Sequence, residues 1–343
     1  MAKKGIFMNK AAICFTRYGQ ETILKLNNAA MKAGIEPCKA YIAGDSMEVS
    51  PGFERIGGSL DAFVKGLFEN GSAIIFTGAV GIAVRLIAPY VRDKLKDSPV
   101  LVIDDSGRFV IPILSGHVGM ANKLALTVAE LIDAIPVITT STDVHDAFSA
   151  DVFAIEKGLT IRNREGIGKV SAKAIEGKRV TLSIKDYPPK EPVDIIIADE
   201  TDREYSLLLS PRKYTFGIGM KRDTDIKTAE QCFMDFLNKN DIKVEEIYAV
   251  CTIDIKENEP AIRDFCSKYR LPLLTFEAGI LSRVQGNFTS SDFVKNTVGV
   301  DNVCERAAVL GAGAGGKLYI KKSTGPGITM AVARRDPGYV NKL

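Results

Sequence analysis

Strands and helices alternate through the first 142 residues, and this order constrains the fold more than any other feature. The apolar runs AAICFT (11–16) and AIIFTGA (73–79) have the length of buried strands. Residues 19–33 between them have apolar side chains at helical spacing, and Gly34 closes that helix. Alternation of this kind predicts an α/β fold with a largely parallel, doubly wound sheet and helices on both faces.

One pair of runs departs from this parallel pattern. VLVIDD (100–105) and FVIPIL (109–114) flank the turn DSGR, which predicts an antiparallel hairpin. A helix over residues 119–133 and the strand IPVITT (135–140) are expected after it.

Three regions are predicted from how the pattern changes along the chain. Residues 1–142 form the doubly wound N-terminal domain. The signal weakens over residues 143–212, where we expect a small middle α/β region. Residues 213–343 begin a second strand–helix alternation and are predicted to be a C-terminal α/β domain.

Composition excludes several classes of protein. The net charge of +3 is too small for a nucleic-acid binder. The six cysteines form no CxxC pair, which argues against a zinc ribbon and is typical of buried thiols in a reducing compartment. No stretch approaches the ~18 apolar residues of a membrane span. We therefore expect a cytoplasmic protein that binds neither nucleic acid nor membrane.

Two glycine-containing junctions are candidate anion sites. TGAVGIAVR contains Gly78 and Gly81 between a predicted strand and helix, with Arg85 one turn further on. Backbone N–H groups at a helix start can face an anion. FGIGMKR repeats the arrangement with the glycines at 217 and 219 and with Arg222. The alternative for each is an ordinary tight turn beside an exposed arginine.

The run LSGHVGMAN holds one of only two histidines in the chain, His117. Ser115 is predicted to cap the following helix, and Gly116 and Gly119 to let the backbone approach a ligand. Asn122 is expected near the same mouth. A helix N-terminus favours the neutral imidazole, which can act as a general base or metal ligand. The alternative is a histidine that only hydrogen-bonds a loop carbonyl.

Two further patterns carry weaker predictions. Asp143 and Asp146 flank the second histidine, His145, but one histidine between two carboxylates is a weak metal signal. GAGAGG (311–316) fits the dinucleotide pattern GxGxxG, yet a predicted helix precedes it and a strand follows. This order is the reverse of the dinucleotide fingerprint, so we expect a turn there.

Seven motifs in this chain resemble the CbiG family. Those that are similar to its N-terminal part are TGAVGIAVRLIAP, VIDDSGRFVIPILSGHVGMANKLA and PVITTSTD. Those that are similar to its C-terminal domain, which also occurs as the stand-alone protein CobE, are FGIGMKRDT, VCTIDIKENEPAI, LPLLTF and VKNTVGVDNVCERAAVL. Met120 and Met220 depart from the family pattern, where small residues are common.

The resemblance implies a cobalt-precorrin-5A hydrolase of anaerobic cobalamin biosynthesis. Such an enzyme opens the δ-lactone of a cobalt-tetrapyrrole with water and releases acetaldehyde, giving cobalt-precorrin-5B. His117 would be the base or an axial cobalt ligand, and Glu305 and Asp254 are weaker catalytic candidates. The substrate's carboxylates would bind at the glycine junctions and the arginines.

The resemblance also implies no cofactor, because the cobalt arrives chelated in the substrate. Transient contact with neighbouring pathway enzymes is a further expectation. A non-catalytic carrier of the same tetrapyrroles is the alternative function, and it would need the anion sites but no base.

Overall fold

Two units that are not consecutive in sequence make up the chain. The computed structural model describes residues 3–5, 9–44, 47–184, 192–336 and 338. The N-terminal unit is Met8–Phe148, and the C-terminal unit combines Met1–Phe7 with Ser149–Leu343. Strand β1 (Lys3–Gly5) therefore belongs to the C-terminal unit. The predicted division at residues 142 and 212 stays a prediction.

The N-terminal unit is built on a seven-stranded sheet in the order β4-β3-β2-β5-β6-β7-β8. Its strands are β2 (Lys10–Cys14), β3 (Lys39–Ile42), β4 (Phe53–Arg55), β5 (Ala73–Thr77), β6 (Val100–Ile103), β7 (Phe109–Leu114) and β8 (Ile135–Pro136). Its helices are α1 (Arg17–Lys32), α2 (Leu60–Glu69), α3 (Val80–Ile87), α4 (Ala121–Ile132) and α5 (Ser141–Val144).

This sheet is doubly wound, as predicted. Neighbouring strands from β4 to β6 are parallel. Helices α1 and α4 pack against one face, and α2 and α3 against the other. Strand β5 is buried on both faces: Ile74 and Phe76 join the α3 side, whereas Ile75 joins the α1 side. A continuous apolar run is what a strand covered on both faces requires.

The predicted hairpin is confirmed and sets the polarity of the sheet. Strand β7 is antiparallel to β6, with Leu114 opposite Val100. The carboxyl end of β7 therefore lies at the edge of the sheet where β5 and β6 begin. Strand β8 is parallel to β7, so the segments after β7 and after β8 leave the sheet at the same edge.

The C-terminal unit contains two sheets. The first sheet has four strands in the order β10-β11-β12-β9. Its strands are β9 (Leu159–Ile161), β10 (Leu182–Ile184), β11 (Val193–Ile197) and β12 (Tyr205–Pro211). The same segment contains the helices α6 (Ala150–Glu156) and α7 (Glu165–Ile175). This small sheet occupies the predicted middle region.

The second sheet has the order β1-β15-β14-β13-β17-β16. Its further strands are β13 (Tyr214–Met220), β14 (Ile247–Ile253), β15 (Leu273–Phe276), β16 (Lys317–Gly325) and β17 (Ile328–Arg334). The helices are α8 (Ile226–Lys239), α9 (Pro260–Lys268), α10 (Ala278–Ser282), α11 (Asp292–Val298) and α12 (Cys304–Ala312). The largest side chains of its core are Phe216, Phe233, Phe236 and Phe265. In the part of the chain that the structure describes, no helix is long and apolar enough to cross a membrane.

Candidate active site

The loop from Ser115 to Met120 joins β7 to α4 and has a left-handed residue at each end. The φ angles are 58° at Ser115 and 65° at Met120. The Ser115 carbonyl accepts from Ala121 N at 3.1 Å, and the His117 carbonyl accepts from Met120 N at 2.8 Å. Left-handed side-chain-bearing residues are strained and persist only where their surroundings fix them. The surrounding structure therefore holds this loop in a defined conformation.

Ser115 does not cap helix α4, so that prediction is wrong. Its hydroxyl donates to the Asp97 carbonyl at 2.6 Å. The N-cap is Met120, which makes no side-chain capping bond. The left-handed conformation of Ser115 turns its carbonyl, rather than its hydroxyl, toward the start of the helix.

His117 pairs with a carboxylate. Its Nε2 lies 2.9 Å from Asp143 Oδ2 and 3.1 Å from Thr142 Oγ1. The His117 side chain is 14% exposed and that of Asp143 is 41% exposed. Because an ionised carboxylate only accepts hydrogen bonds, the contact assigns the proton of the neutral ring to Nε2. Nδ1 is then the basic nitrogen.

Asn122 ties this pair to the loop. Its Nδ2 donates to Asp143 Oδ2 and to Thr140 Oγ1, both at 2.9 Å. Its backbone N donates to the Gly116 carbonyl at 3.0 Å. Asn122 is buried in the first turn of α4. It was predicted to lie near a ligand, and the structure places it behind Asp143 as an organising group. Substrate contact by Asn122 stays a prediction.

The loop glycines allow this close packing. A Cβ atom at Gly116 would lie 2.7 Å from Asn122 Oδ1, and one at Gly119 would lie 2.6 Å from the Ser115 carbonyl oxygen. Both distances are too short for a real side chain. The glycines therefore let the loop fold onto itself, and their predicted role in substrate binding stays untested.

The turn after β5, which holds Gly78 and Gly81, lies at the opposite end of the sheet from the loop after β7, and substrate binding by these two glycines stays a prediction. The Gly78 N–H donates to the Ile103 carbonyl at 2.8 Å, so it is not directed at an anion. Arg85 lies in the last turn of α3 and is exposed. Since α3 runs back across the sheet from β5 to the parallel β6, that turn lies toward the edge that holds His117.

Gly217 and Gly219 lie inside strand β13 and not at a helix start, so the predicted second junction is wrong. They face Ala331 and Thr329 across the antiparallel pair with β17. A Cβ atom at Gly217 would lie 2.9 Å from the Ala308 Cβ. These glycines let α12 and β17 pack closely on β13. Arg222 follows the strand and is exposed, and its substrate contact stays a prediction.

Glu305 is a buried structural anchor. Its side chain lies in the first turn of α12 and is fully buried. Four donors reach its carboxylate, and they are Thr289 N at 2.7 Å, Thr289 Oγ1 at 3.0 Å, Asn302 Nδ2 at 2.9 Å and Lys322 N at 2.6 Å. Each oxygen therefore receives two hydrogen bonds. A carboxylate that is saturated by protein donors is poorly placed to take a proton from a substrate.

Glu305→Gln should destabilise the protein by about 2–4 kcal/mol, because the amide nitrogen would face donors, and those buried donors would lose their charged acceptor. Chemical denaturation measures this change. Glu204→Gln is the matched control, since Glu204 is exposed in the same unit. Equal stability of the two variants would show that the carboxylate does not anchor the fold.

Asp254, the other weaker candidate, begins the 3-10 turn that follows β14. Its Oδ1 accepts from Ile255 N at 2.8 Å. Asp254 and Glu305 belong to the C-terminal unit, whereas His117 and Asp143 belong to the N-terminal unit. A catalytic role for Asp254 stays a prediction.

The two weaker sequence patterns, around His145 and in GAGAGG, have different outcomes in the structure. His145 ends α5 and is exposed, while its neighbour Asp143 contacts His117. Within the described ranges, no group of three or more His, Cys, Asp or Glu side chains could hold a metal. The run GAGAGG leads from α12 into β16, which confirms the helix-then-strand order predicted for it.

Comparison with known proteins decides the family. The profile described as "Cobalamin synthesis G N-terminal" matches residues 62–143, and that described as "Cobalamin synthesis G C-terminus" matches residues 214–333. The cobalt-precorrin-5A hydrolase of Salmonella typhimurium is 31% identical over 285 residues, which cover 76% of this chain and 81% of that protein. The chain belongs to the CbiG family. A cobalt-precorrin-5A hydrolase of Priestia megaterium is 27% identical over 94% of each chain.

Solved structures of the family and of CobE are also similar. A cobalamin biosynthesis protein G homologue from Sulfolobus solfataricus covers 96% of this chain and 99% of its own, with 20% identity and a TM-score of 0.41. CobE covers 35% of this chain and 89% of its own, with 23% identity and a TM-score of 0.34. The N-terminal CbiG match includes both His117 and Asp143, so the paired side chains lie inside the family segment.

Proposed function

We propose that this CbiG protein is a cobalt-precorrin-5A hydrolase. Its similarity to hydrolases of that name along most of the chain carries the proposal. Anaerobic incubation with the cobalt-precorrin-5A lactone should release one acetaldehyde for each lactone opened. A carrier would bind the same tetrapyrrole and release none, so the acetaldehyde assay separates the two functions.

The reaction has two proton transfers that a protein base can serve. Water adds to the lactone carbonyl and loses a proton, and the ring oxygen leaves as a hydroxyl group. The base then takes the hydroxyl proton, the carbon–oxygen double bond of acetaldehyde forms, and the carbon–carbon bond to the macrocycle breaks. The macrocycle receives that electron pair. One properly placed base can act in both steps.

His117 is proposed as this base, and Asp143 as the residue that positions it. Asp143 holds the ring through Nε2 and fixes its orientation. The carboxylate also stabilises the imidazolium that forms, as the acidic member of a catalytic triad does. The buried Asn122 fixes Asp143 in turn. One short hydrogen-bond network therefore both orients the His117 ring and supplies the negative charge that stabilises its imidazolium.

Arg85 and Arg222 are proposed to bind substrate carboxylates, because both are exposed and carry a fixed positive charge. Arg85→Ala or Arg222→Ala should raise the Kd for the lactone by about tenfold or more if the pair is desolvated on binding. Added salt should weaken wild-type binding more steeply than binding by the variants. Arg17→Ala is a control for Arg85, since Arg17 begins α1 at the opposite edge of the sheet. Equal affinities in all variants would contradict this role.

We further propose that the protein needs no cofactor of its own and that cobalt enters as part of the substrate. Acetaldehyde release should therefore survive exhaustive dialysis against EDTA, which does not remove cobalt from the macrocycle. Activity that is lost on dialysis and restored by a divalent cation would contradict this expectation.

The cytoplasm is the proposed location, where other enzymes of the pathway would hand on and accept the tetrapyrrole in transient contacts. The six cysteines support this location, because all six are free thiols. Nucleic acid and membrane are not proposed as partners.

A further inference from the structure

Helix α3 has an exposed face that is apolar. At 3.6 residues per turn, the exposed residues of α3 and of the 3-10 turn that follows it fall on one side. They are Gly81, Ile82, Val84, Arg85, Ala88 and Pro89. Ile82 and Val84 are 39% and 46% exposed. Arg85 is the one polar side chain among the six.

The opposite side of the same helix is also apolar. Ala83 and Ile87 are buried against Ile13 and Phe76, and Leu86 packs against the same cluster. A helix that lies on a surface normally turns polar residues to water, whereas a helix that is apolar all round is covered on both sides. The composition of α3 therefore indicates that a ligand covers its outer face.

The position of α3 connects this face to the candidate active site. The helix crosses from β5 to β6, so its carboxyl end lies at the edge where β7 ends. Ile87 near that end packs in the same cluster as Leu114, the last residue of β7. His117 follows three residues later along the chain. The apolar face thus leads toward the His117–Asp143 pair.

Charge narrows the choice of ligand. Residues 79–92 contain two arginines, Arg85 and Arg92, and no acidic residue. An apolar surface that carries a cation, Arg85, suits a flat apolar ring whose rim carries carboxylates. A second copy of this chain would bring the same cations against each other.

We propose that the outer face of α3 binds one face of the tetrapyrrole macrocycle, with Arg85 pairing with a carboxylate at its rim. The occupant is the substrate, so this proposal rests on the proposed function. Burial of Ile82 and Val84 under the ring supplies affinity, and Arg85 fixes the orientation of the ring.

Ile82→Asn and Val84→Asn test the apolar face without adding charge. The probe is cobalt uroporphyrin III, a carboxylate-bearing tetrapyrrole that has no lactone and so is not turned over. Anaerobic absorbance titration should show a Kd raised about tenfold or more in each variant. The KM for acetaldehyde release should rise as well. Leu126→Asn is the control, because Leu126 is 51% exposed on α4 of the same unit, and it should bind as wild type does.

Val84→Thr keeps the shape of the side chain and should raise the Kd less, which covers the case in which an asparagine variant unfolds. If the wild type releases acetaldehyde and all α3 variants have its Kd and KM, this proposal is wrong and the hydrolase function stands. If the α3 variants lose probe binding but the wild type releases no acetaldehyde, the proposed hydrolase function is wrong and the proposed binding face stands. If sedimentation shows that Val84→Asn dissociates an oligomer while the Kd stays constant, the face joins two copies and the proposal is wrong.

Discussion

His117→Gln should lower the rate of acetaldehyde release by about a hundredfold to ten-thousandfold, the usual cost of losing a general base. Glutamine keeps a donor that can reach Asp143, but it cannot take up a proton near neutral pH. The melting temperature should stay close to that of the wild type, because the residue lies in the loop between β7 and α4 and glutamine can keep a hydrogen bond to Asp143. Single-turnover measurement of acetaldehyde isolates the chemical step from product release.

His145→Gln is the matched control, because His145 is the only other histidine in the chain and is exposed at the end of α5. It should turn over as the wild type does. If His117 instead ligates the cobalt, the visible spectrum of the bound substrate should shift in His117→Gln. Normal turnover by His117→Gln would remove it from the chemistry and leave Glu305 and Asp254 as the remaining candidates.

Asp143→Asn should reduce kcat by about tenfold to a thousandfold with little change in KM. The amide keeps the shape of the side chain, yet it loses the negative charge that stabilises the imidazolium. It can also present a donor to Nε2, which favours the wrong tautomer of the ring. Steady-state kinetics separates the two parameters, and a fall in kcat at constant KM identifies a positioning residue.

Asp146→Asn is the control for Asp143, since Asp146 is an exposed carboxylate three residues further on. Its φ of 49° suits asparagine as well as aspartate, so the change should not disturb the backbone. A purely structural role for Asp143 predicts a different pattern, in which Asp143→Asn lowers the melting temperature and leaves kcat unchanged.

Local patterns predicted the elements of the N-terminal unit well. The helix expected over 119–133 is α4, Ala121–Ile132, and the hairpin around DSGR is present. Apolar spacing reports burial directly, so periodicity is enough to find such elements. The difference at the start of α4 arises because the loop before it is held by left-handed backbone conformations, which apolar spacing does not reveal.

The assembly of the site could not be read from local patterns. Apolar spacing predicts the hairpin but does not report which way its second strand runs relative to the parallel strands. The hairpin sends the glycines after β7 to the edge opposite the glycines after β5. Asp143 stands 26 residues from His117 and meets it because β8 is parallel to β7. The β7–β8 pairing joins strands distant in sequence, and apolar spacing within each strand does not report such a pairing.

Strand β1 has a consequence for how the chain is made. It pairs with β15, where Lys3 faces Thr275 and Gly5 faces Leu273. The whole N-terminal unit lies between these partners in sequence, so it is an insertion within the C-terminal unit. On the ribosome, residues 3–5 emerge before the N-terminal unit but lack their β15 partner until residues 273–275 have been synthesised. The N-terminal unit can fold in that interval, so β1 is translated before that unit but can pair with β15 only after it.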